Sequence, residues 1–220
     1  EDKEILSFIR GKKTIVLLNK VDLAQKLSLQ EQEEKADVVI VGTGVAGLFS
    51  ALNLPDDKEI IMITKSDAES SDSFLAQGGI CVLRDEQDYD SYFEDTMRAG
   101  HYENRKESVD IMIRSSGKII EDLVGYGVEF EKDGEAFAYT REGAHSRPRI
   151  LFHADVTGKE ITSKLLARVR EKNNVTIYEY TTMTDILEEN GKCAGITVKT
   201  KSGEESSIYA DYTILASGGI

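Results

Sequence analysis

The run Asp37-Val38-Val39-Ile40-Val41-Gly42-Thr43-Gly44-Val45-Ala46-Gly47 constrains the fold of this chain more than any other feature. Four consecutive β-branched residues read as a buried strand. Gly42, Gly44 and Gly47 then follow in the spacing GxGxxG. The first glycine permits a tight turn, the second lets the backbone approach a pyrophosphate, and the third lets helix and strand pack closely. A helical segment from Leu48 to Leu54, closed by Pro55, would aim its N–H groups and the positive end of its dipole at an anion. The next buried strand, Ile60-Ile61-Met62-Ile63-Thr64, completes a βαβ unit. GxGxxG alone is a weak signal; a strand before it and a helix after it are the context that points to a dinucleotide.

The rest of the composition bounds the partners. The 220 residues suffice for one good core and little more. Asp and Glu number 40 against 27 Lys and Arg, a net charge of -13. That balance argues against non-specific contact with nucleic acid or an anionic membrane, so neither is expected as a partner. No apolar run approaches bilayer length. Cys81 and Cys193 have no CxxC or zinc spacing, which suits a reduced, cytoplasmic protein. His101, His145 and His153 form no ligand pattern, and no metal is expected. The chain begins at Glu1 without Met or a signal-like segment and stops just after Gly218-Gly219, so both ends read as cuts.

Downstream of the βαβ unit, helical patterns cover 88–99 and 106–124, the second with Ile111, Ile119, Ile120 and Leu123 as its apolar positions. Asp133-Gly134 reads as a hairpin turn between Val128-Glu129-Phe130 and Ala136-Phe137-Ala138-Tyr139. Thr157-Gly158-Lys159-Glu160 has capping-box spacing and opens a helix to about Lys172. Strands at 175–180, 183–188, 193–200 and 206–215 follow, with turns at Asn190-Gly191 and Ser202-Gly203.

Three further stretches carry candidate chemistry. At the end of the second strand, where an acid would hold an adenosine ribose, the chain has Thr64-Lys65. Either a 2′-phosphate, hence NADP, or a flavin family that handles the ribose differently would explain Lys65; Asp67 is a near-miss acid in a loop. Asp72-Ser73-Phe74-Leu75-Ala76-Gln77-Gly78-Gly79 offers hydroxyl, amide and backbone groups to a ribityl chain and flavin ring, or is simply a turn before Ile80-Cys81-Val82. Thr140-Arg141-Glu142-Gly143-Ala144-His145-Ser146 concentrates ionisable groups, and taken alone reads as a surface loop with local salt bridges.

Together these stretches carry a resemblance. VVIVGTGVAGL, ITKSDAESSDSFLAQGGI, TREGAHSRPRILFHADVTGKEI and TILASGGI, in that order over about residues 36–220, resemble the amino-terminal part of the L-aspartate oxidases, relatives of the succinate dehydrogenase and fumarate reductase flavoproteins. The resemblance implies a Rossmann-like α/β FAD-binding domain of the GR2-type flavoprotein class, truncated, with an antiparallel β-meander. It implies FAD as cofactor, and Lys65 then counts for FAD because the family accepts Lys there. It places Gly42, Thr43, Gly44, Val45, Ala46 and Gly47 at the pyrophosphate and Lys65 near the adenosine. It places Asp72, Ser73, Phe74, Leu75, Ala76, Gln77, Gly78 and Gly79 on the flavin side, and Ala216-Ser217-Gly218-Gly219 near the cofactor. Glu142 corresponds to the carboxylate that orients the amino-acid substrate, where it would pair with an ammonium. The implied reaction is oxidation of L-aspartate to iminoaspartate, the entry step of NAD biosynthesis, with fumarate or oxygen reoxidising the flavin. The family's catalytic arginine, capping domain and carboxy-terminal helical region are expected beyond Ile220, and Arg141, Arg147 and Arg149 do not take that role. The chain as given is expected to be inactive. The alternatives are a fragment of a fumarate reductase or succinate dehydrogenase flavoprotein, or a non-catalytic nucleotide-binding module.

Residues 1–35 carry a different resemblance. EDKEILSFIRGKKTIVLLNKVDL is similar to the guanine-recognition segment of a tRNA-modification GTPase of the MnmE type, with Asn19, Lys20 and Asp22 as its NKxD. No P-loop precedes it, so no GTP binding is expected. The expected organisation is a GTPase-like fragment and polar linker over 1–35 joined to an incomplete FAD-binding domain over 36–220.

Overall fold

The structure is a computed structural model in which residues 33–218 are described. The NKxD segment lies outside the described residues, as does Gly219. The remainder divides into two compact units, one combining residues up to Asp72 with those from Leu165 onward, the other spanning Ser73–Lys164.

The first unit is built on a six-stranded sheet in the order β7-β2-β1-β10-β9-β8. Its strands are β1 (Glu33–Val41), β2 (Ile60–Ile63), β7 (Val175–Tyr178), β8 (Thr181–Glu189), β9 (Lys192–Thr200) and β10 (Glu205–Leu215). β1 pairs in parallel with both β2 and β10, and β2 in parallel with β7. β10, β9 and β8 are successively antiparallel. Val39, Val41, Ile61, Ile63, Ile196, Val198, Ile208, Ala210 and Leu215 form one buried cluster on this sheet. The intervening Val38, Ile40, Ile60 and Met62 are buried as well, so the central strands are covered on both faces and read as unbroken apolar runs. Helix α1 (Val45–Asn53) buries Gly47, Leu48 and Ala51 and stops at Leu54, whose extended backbone suits the residue before Pro55.

The antiparallel meander is therefore an extension of the parallel sheet through β10. Its first turn has Asn190 and Gly191 at φ 52° and 75°, the conformation of a two-residue hairpin turn. The linker reading needs correction at its end. Glu33, Glu34 and Lys35 lie within β1, in register with Ser207, Ile208 and Tyr209. Backbone pairing along an existing strand does not require apolar side chains, so the pattern underestimates the strand.

The second unit contains β3 (Ile80–Cys81) paired antiparallel with β6 (Ile150–Leu151), and the hairpin β4 (Lys132–Asp133) with β5 (Ala136–Phe137). Helix α2 (Asp72–Leu75) crosses into it from the first unit, and α5 (Thr157–Glu171) crosses back. Between them α3 (Tyr89–Ala99), entered through a short 3-10 turn Glu86–Asp88, packs on α4 (Lys106–Gly125) around Tyr92, Met97, Val109 and Ile113. The buried face of α4 is Val109, Ile113, Ser116, Ile120 and Leu123, a helical stripe. Ile111, read as one of its apolar positions, is off that stripe and 67% exposed. Strand β4 begins at Lys132, so Val128-Glu129-Phe130 is not the first arm of the hairpin; Val128 and Phe130 are instead buried. Helix α5 does open at Thr157, but without a capping box. The Thr157 hydroxyl accepts the His153 N–H at 3.0 Å, and Glu160 Oε1 accepts the Glu129 N–H at 3.0 Å. The Thr157 hydroxyl is used within the turn before the helix and the Glu160 carboxylate in a tertiary contact, neither of which the spacing registers.

Candidate functional site

In the first unit the glycine turn joins β1 to α1. Gly42 sits at φ 110°, a left-handed value that disfavours any side chain, and a Cβ there would come inside 3.0 Å of the Ala216 carbonyl oxygen. Ala216 arrives by way of β10, its N–H donating to the Val41 carbonyl at 2.8 Å. Ala216 and Ser217 thus stand beside the glycine turn. A Cβ on Gly47 would collide with the Gly42 carbonyl oxygen, so the third glycine serves the close approach of helix to strand. Gly44 is the N-cap of α1 at φ -71° and ψ 177°, a backbone any residue can adopt. No side chain caps α1, its first turn holds no acid, and Ala46 is exposed. A helix start without a cap or a negative charge fits a diphosphate.

At the end of β2, Thr64 is buried and pairs through its backbone with Tyr178 and Thr181, while Lys65 is exposed. Asp67 is committed to its own loop, accepting from the Ser70 hydroxyl at 2.6 Å and the Glu69 N–H at 3.2 Å. The Ser70 hydroxyl holds its carboxyl below the usual range. The near-miss acid is a turn residue.

The stretch read as the flavin side begins in the short helix α2, and Leu75, Ala76, Gln77 and Gly78 are all exposed. Within the second unit, Gly158 at the start of α5 donates its N–H to the Ala76 carbonyl at 2.9 Å. A Cβ on Gly158 would overlap the Ser73 and Ala76 carbonyls. Glu142 Oε1 accepts the Gly79 N–H at 3.1 Å, and its carboxylate also faces Gly78. The structure therefore brings Glu142 onto the Gly78-Gly79 turn, which no sequence spacing foretold. Glu142 Oε2 makes no hydrogen bond among the described residues. With Arg98, Arg141, Gly143, Ala144, His145 and Ser146 it lines an open pocket of about 480 Å³.

Beneath that pocket lies a cluster that the sequence reading missed. Arg149 is fully buried. Its Nε and Nη2 donate to Asp88 at 2.9 and 2.8 Å, its Nη1 to Asp95 at 2.7 Å, and Nη2 also to Ser91 Oγ at 2.9 Å. Asp95 accepts in addition from the Ser146 N–H and hydroxyl, both at 2.7 Å. Burial alone would raise the Asp95 carboxyl; the Ser146 donors and the Arg149 guanidinium outweigh it and hold the group at about 2. Burial likewise opposes ionisation of Asp88, and Arg149 with Ser91 overcomes it. Arg149 itself is pushed further up by the two carboxylates despite its burial. The stretch 140–146 is thus more than a surface loop with local salt bridges. The one available signal was an arginine immediately before the apolar pair Ile150-Leu151, and nothing in that placement names its partners.

Among the described residues no cluster of His, Cys, Asp and Glu is arranged to hold a metal ion, and no helix is long and apolar enough to cross a membrane. Comparison with known proteins gives a consistent family match. The family model described as FAD binding domain matches residues 37–220. An L-aspartate oxidase of Clostridium perfringens is 45% identical over 185 residues, covering 84% of this chain and 42% of that protein. One from Clostridium acetobutylicum is 41% identical over 187 residues, covering 84% of this chain and 43% of its own length. Among solved structures, the E. coli quinol fumarate reductase FrdA superposes with a TM-score of 0.81 at 24% identity, over 86% of this chain and 33% of that one, a likeness of fold. The chain spans less than half the length of these curated relatives.

Proposed function

The chain belongs to the FAD-binding domain family, with FAD as its cofactor, and we propose that it is the flavin-binding part of an enzyme that oxidises L-aspartate to iminoaspartate. In this reading the FAD-binding domain takes in β1 from Glu33 onward, and the GTPase-like segment before it is no part of the domain. The catalytic arginine and the capping region belong to the length of the relatives that this chain does not span. Fumarate or oxygen is the electron acceptor, the cytoplasm the setting, and the first step of NAD biosynthesis the role.

Gly42, Thr43, Gly44, Val45, Ala46 and Gly47 would hold the pyrophosphate through backbone N–H groups at the start of α1, with Lys65 near the adenosine. Asp72, Ser73, Phe74, Leu75, Ala76, Gln77, Gly78 and Gly79 would line the flavin side. Bound FAD supplies the two-electron acceptor for the hydride equivalent leaving the substrate Cα. Glu142 would take the substrate ammonium on its second carboxylate oxygen, orienting the Cα–H bond; its hydrogen bond to Gly79 keeps that carboxylate in place. The observation that carries the reading is this placement of Glu142 over the Gly78-Gly79 turn.

Two measurements test it. FAD titrated into the chain, followed by flavin fluorescence or calorimetry, should bind more tightly than NADP; the reverse order would sink the cofactor assignment. In the polypeptide extended to the relatives' full length, Glu142→Gln should raise the KM for L-aspartate by about tenfold or more, the worth of one charged hydrogen bond, with FAD affinity unchanged. Turnover is read as iminoaspartate or oxaloacetate. An unchanged KM would remove Glu142 from the substrate site.

A further inference from the structure

The buried Arg149 does more than neutralise Asp88 and Asp95. Its Nη1 also lies 3.0 Å from His145 Nδ1. A guanidinium carries only donors, so His145 Nδ1 must be the unprotonated acceptor, and the single proton of the neutral ring sits on Nε2. Nε2 is 3.2 Å from Cys81 Sγ, so His145 donates to the sulfur. The Tyr92 ring stands edge-on to the imidazole at 6.0 Å between centroids. Within the same turn the His145 N–H meets the Glu142 carbonyl at 3.3 Å, so the two side chains hang from one tight bend. One of them grips Cys81 on β3 and the other grips the Gly79 N–H just before it. The segment 142–145 is thus tied at two points to 79–81.

We propose that His145, locked in its Nε2–H tautomer by Arg149, is a positioning residue for Glu142: its bond to Cys81 Sγ holds the bend in the register that keeps the Glu142 carboxylate on the Gly79 N–H. The proposal deepens the reading of Glu142 as the partner of the substrate ammonium and rests on it for its functional meaning. The groups facing the imidazole are Arg149, Asp88, Asp95, Glu142, Cys81 and Tyr92. Burial and the Arg149 charge outweigh the three carboxylates and keep the ring neutral below its ordinary range. A neutral ring is what the tautomer lock requires.

The test uses the full chain loaded with FAD. Nitrogen-15 NMR of the imidazole should show protonated Nε2 and bare Nδ1 at neutral pH; an Nδ1–H tautomer or an imidazolium overturns the proposal. Gly79 amide exchange reports the position of Glu142 without any substrate. His145→Phe keeps an aromatic ring beside Tyr92 but neither nitrogen, and should speed Gly79 exchange by about tenfold, as loss of a charged hydrogen bond does. Cys81→Ala should do the same and Cys81→Ser should not, a contrast that decides the matter if His145→Phe fails to fold. Unchanged Gly79 exchange in the variants that fold overturns the proposal. In the extended enzyme, an unchanged KM for aspartate in Glu142→Gln refutes the ammonium reading, whereas the Gly79 measurement judges the latch separately.

Discussion

At Gly42, Gly44 and Gly47 one motif asks three different things of glycine. Gly42 needs its left-handed backbone and the space taken by Ala216, and Gly47 needs the space taken by the Gly42 carbonyl. Gly44 has an ordinary backbone, and in the proposed FAD site it needs only to leave the helix start open. Substitutions should therefore separate. Gly47→Ala is expected to destabilise the chain by about 2 kcal/mol or more, read as a lower urea midpoint, because backbone rather than a flexible side chain must give way. Gly44→Val should leave the urea midpoint nearly unchanged and abolish FAD binding, since a branched side chain fills the path of the pyrophosphate. Arg149→Leu strands two buried carboxylates and should cost about 3–5 kcal/mol. The same cluster sets an acid limit. The Asp95 carboxyl is held at about 2 in the folded chain against an ordinary 3.8. Its contribution is whole above the unfolded value and is lost as pH falls from about 4 towards 2, roughly 2 kcal/mol in all. Urea midpoints measured across that window should fall with pH, and Asp95→Asn should flatten the slope.

Among the elements, the ones legible in the sequence are those decided by nearest neighbours. The turn Asn190-Gly191 and the stop of α1 before Pro55 follow from residues that allow or forbid a backbone conformation, and both stand where the sequence places them. Thr157 opens α5 as read, yet its hydroxyl and the Glu160 carboxylate are taken by His153 and Glu129, so the start was legible and its bonding was not. The polar start of β1 escapes any local pattern because its partner is distant. Glu33, Glu34, Lys35 and Ala36 pair with Ser207, Ile208, Tyr209 and Ala210. A chain beginning at Asp37 should accordingly be less stable than one beginning at Glu33, by about 1–2 kcal/mol once lost backbone bonds are set against recovered chain entropy. Equal urea midpoints for the two chains would show that this end of β1 adds nothing.

Over the whole molecule, the first unit is assembled from two stretches of chain, and its β1–β10 and β2–β7 pairings span the entire Ser73–Lys164 stretch. Closing β1 on β10, where Val39 meets Thr213, must absorb far more loop entropy than closing β8 on β9, where Leu187 meets Gly195. During refolding, pulse-labelled amides of β8 and β9 should gain protection before those of β1 and β10; simultaneous protection would contradict this order. The same difference in range separates what the sequence by itself determined from what only the tertiary structure decided. The strand, glycine turn and helix of residues 37–53, and with them a nucleotide-binding α/β fold, follow from side-chain shape and backbone freedom within a few residues. The insertion of β10 beside β1, the seating of Glu142 on Gly79, and the gathering of Asp88, Asp95, His145 and Ser146 around Arg149 do not. Apart from His145, which meets Arg149 from four residues away, those contacts join residues widely separated in sequence, and they exist because packing brings their elements together. A guanidinium buried by that packing must find its carboxylates there, and no local periodicity records which ones they are.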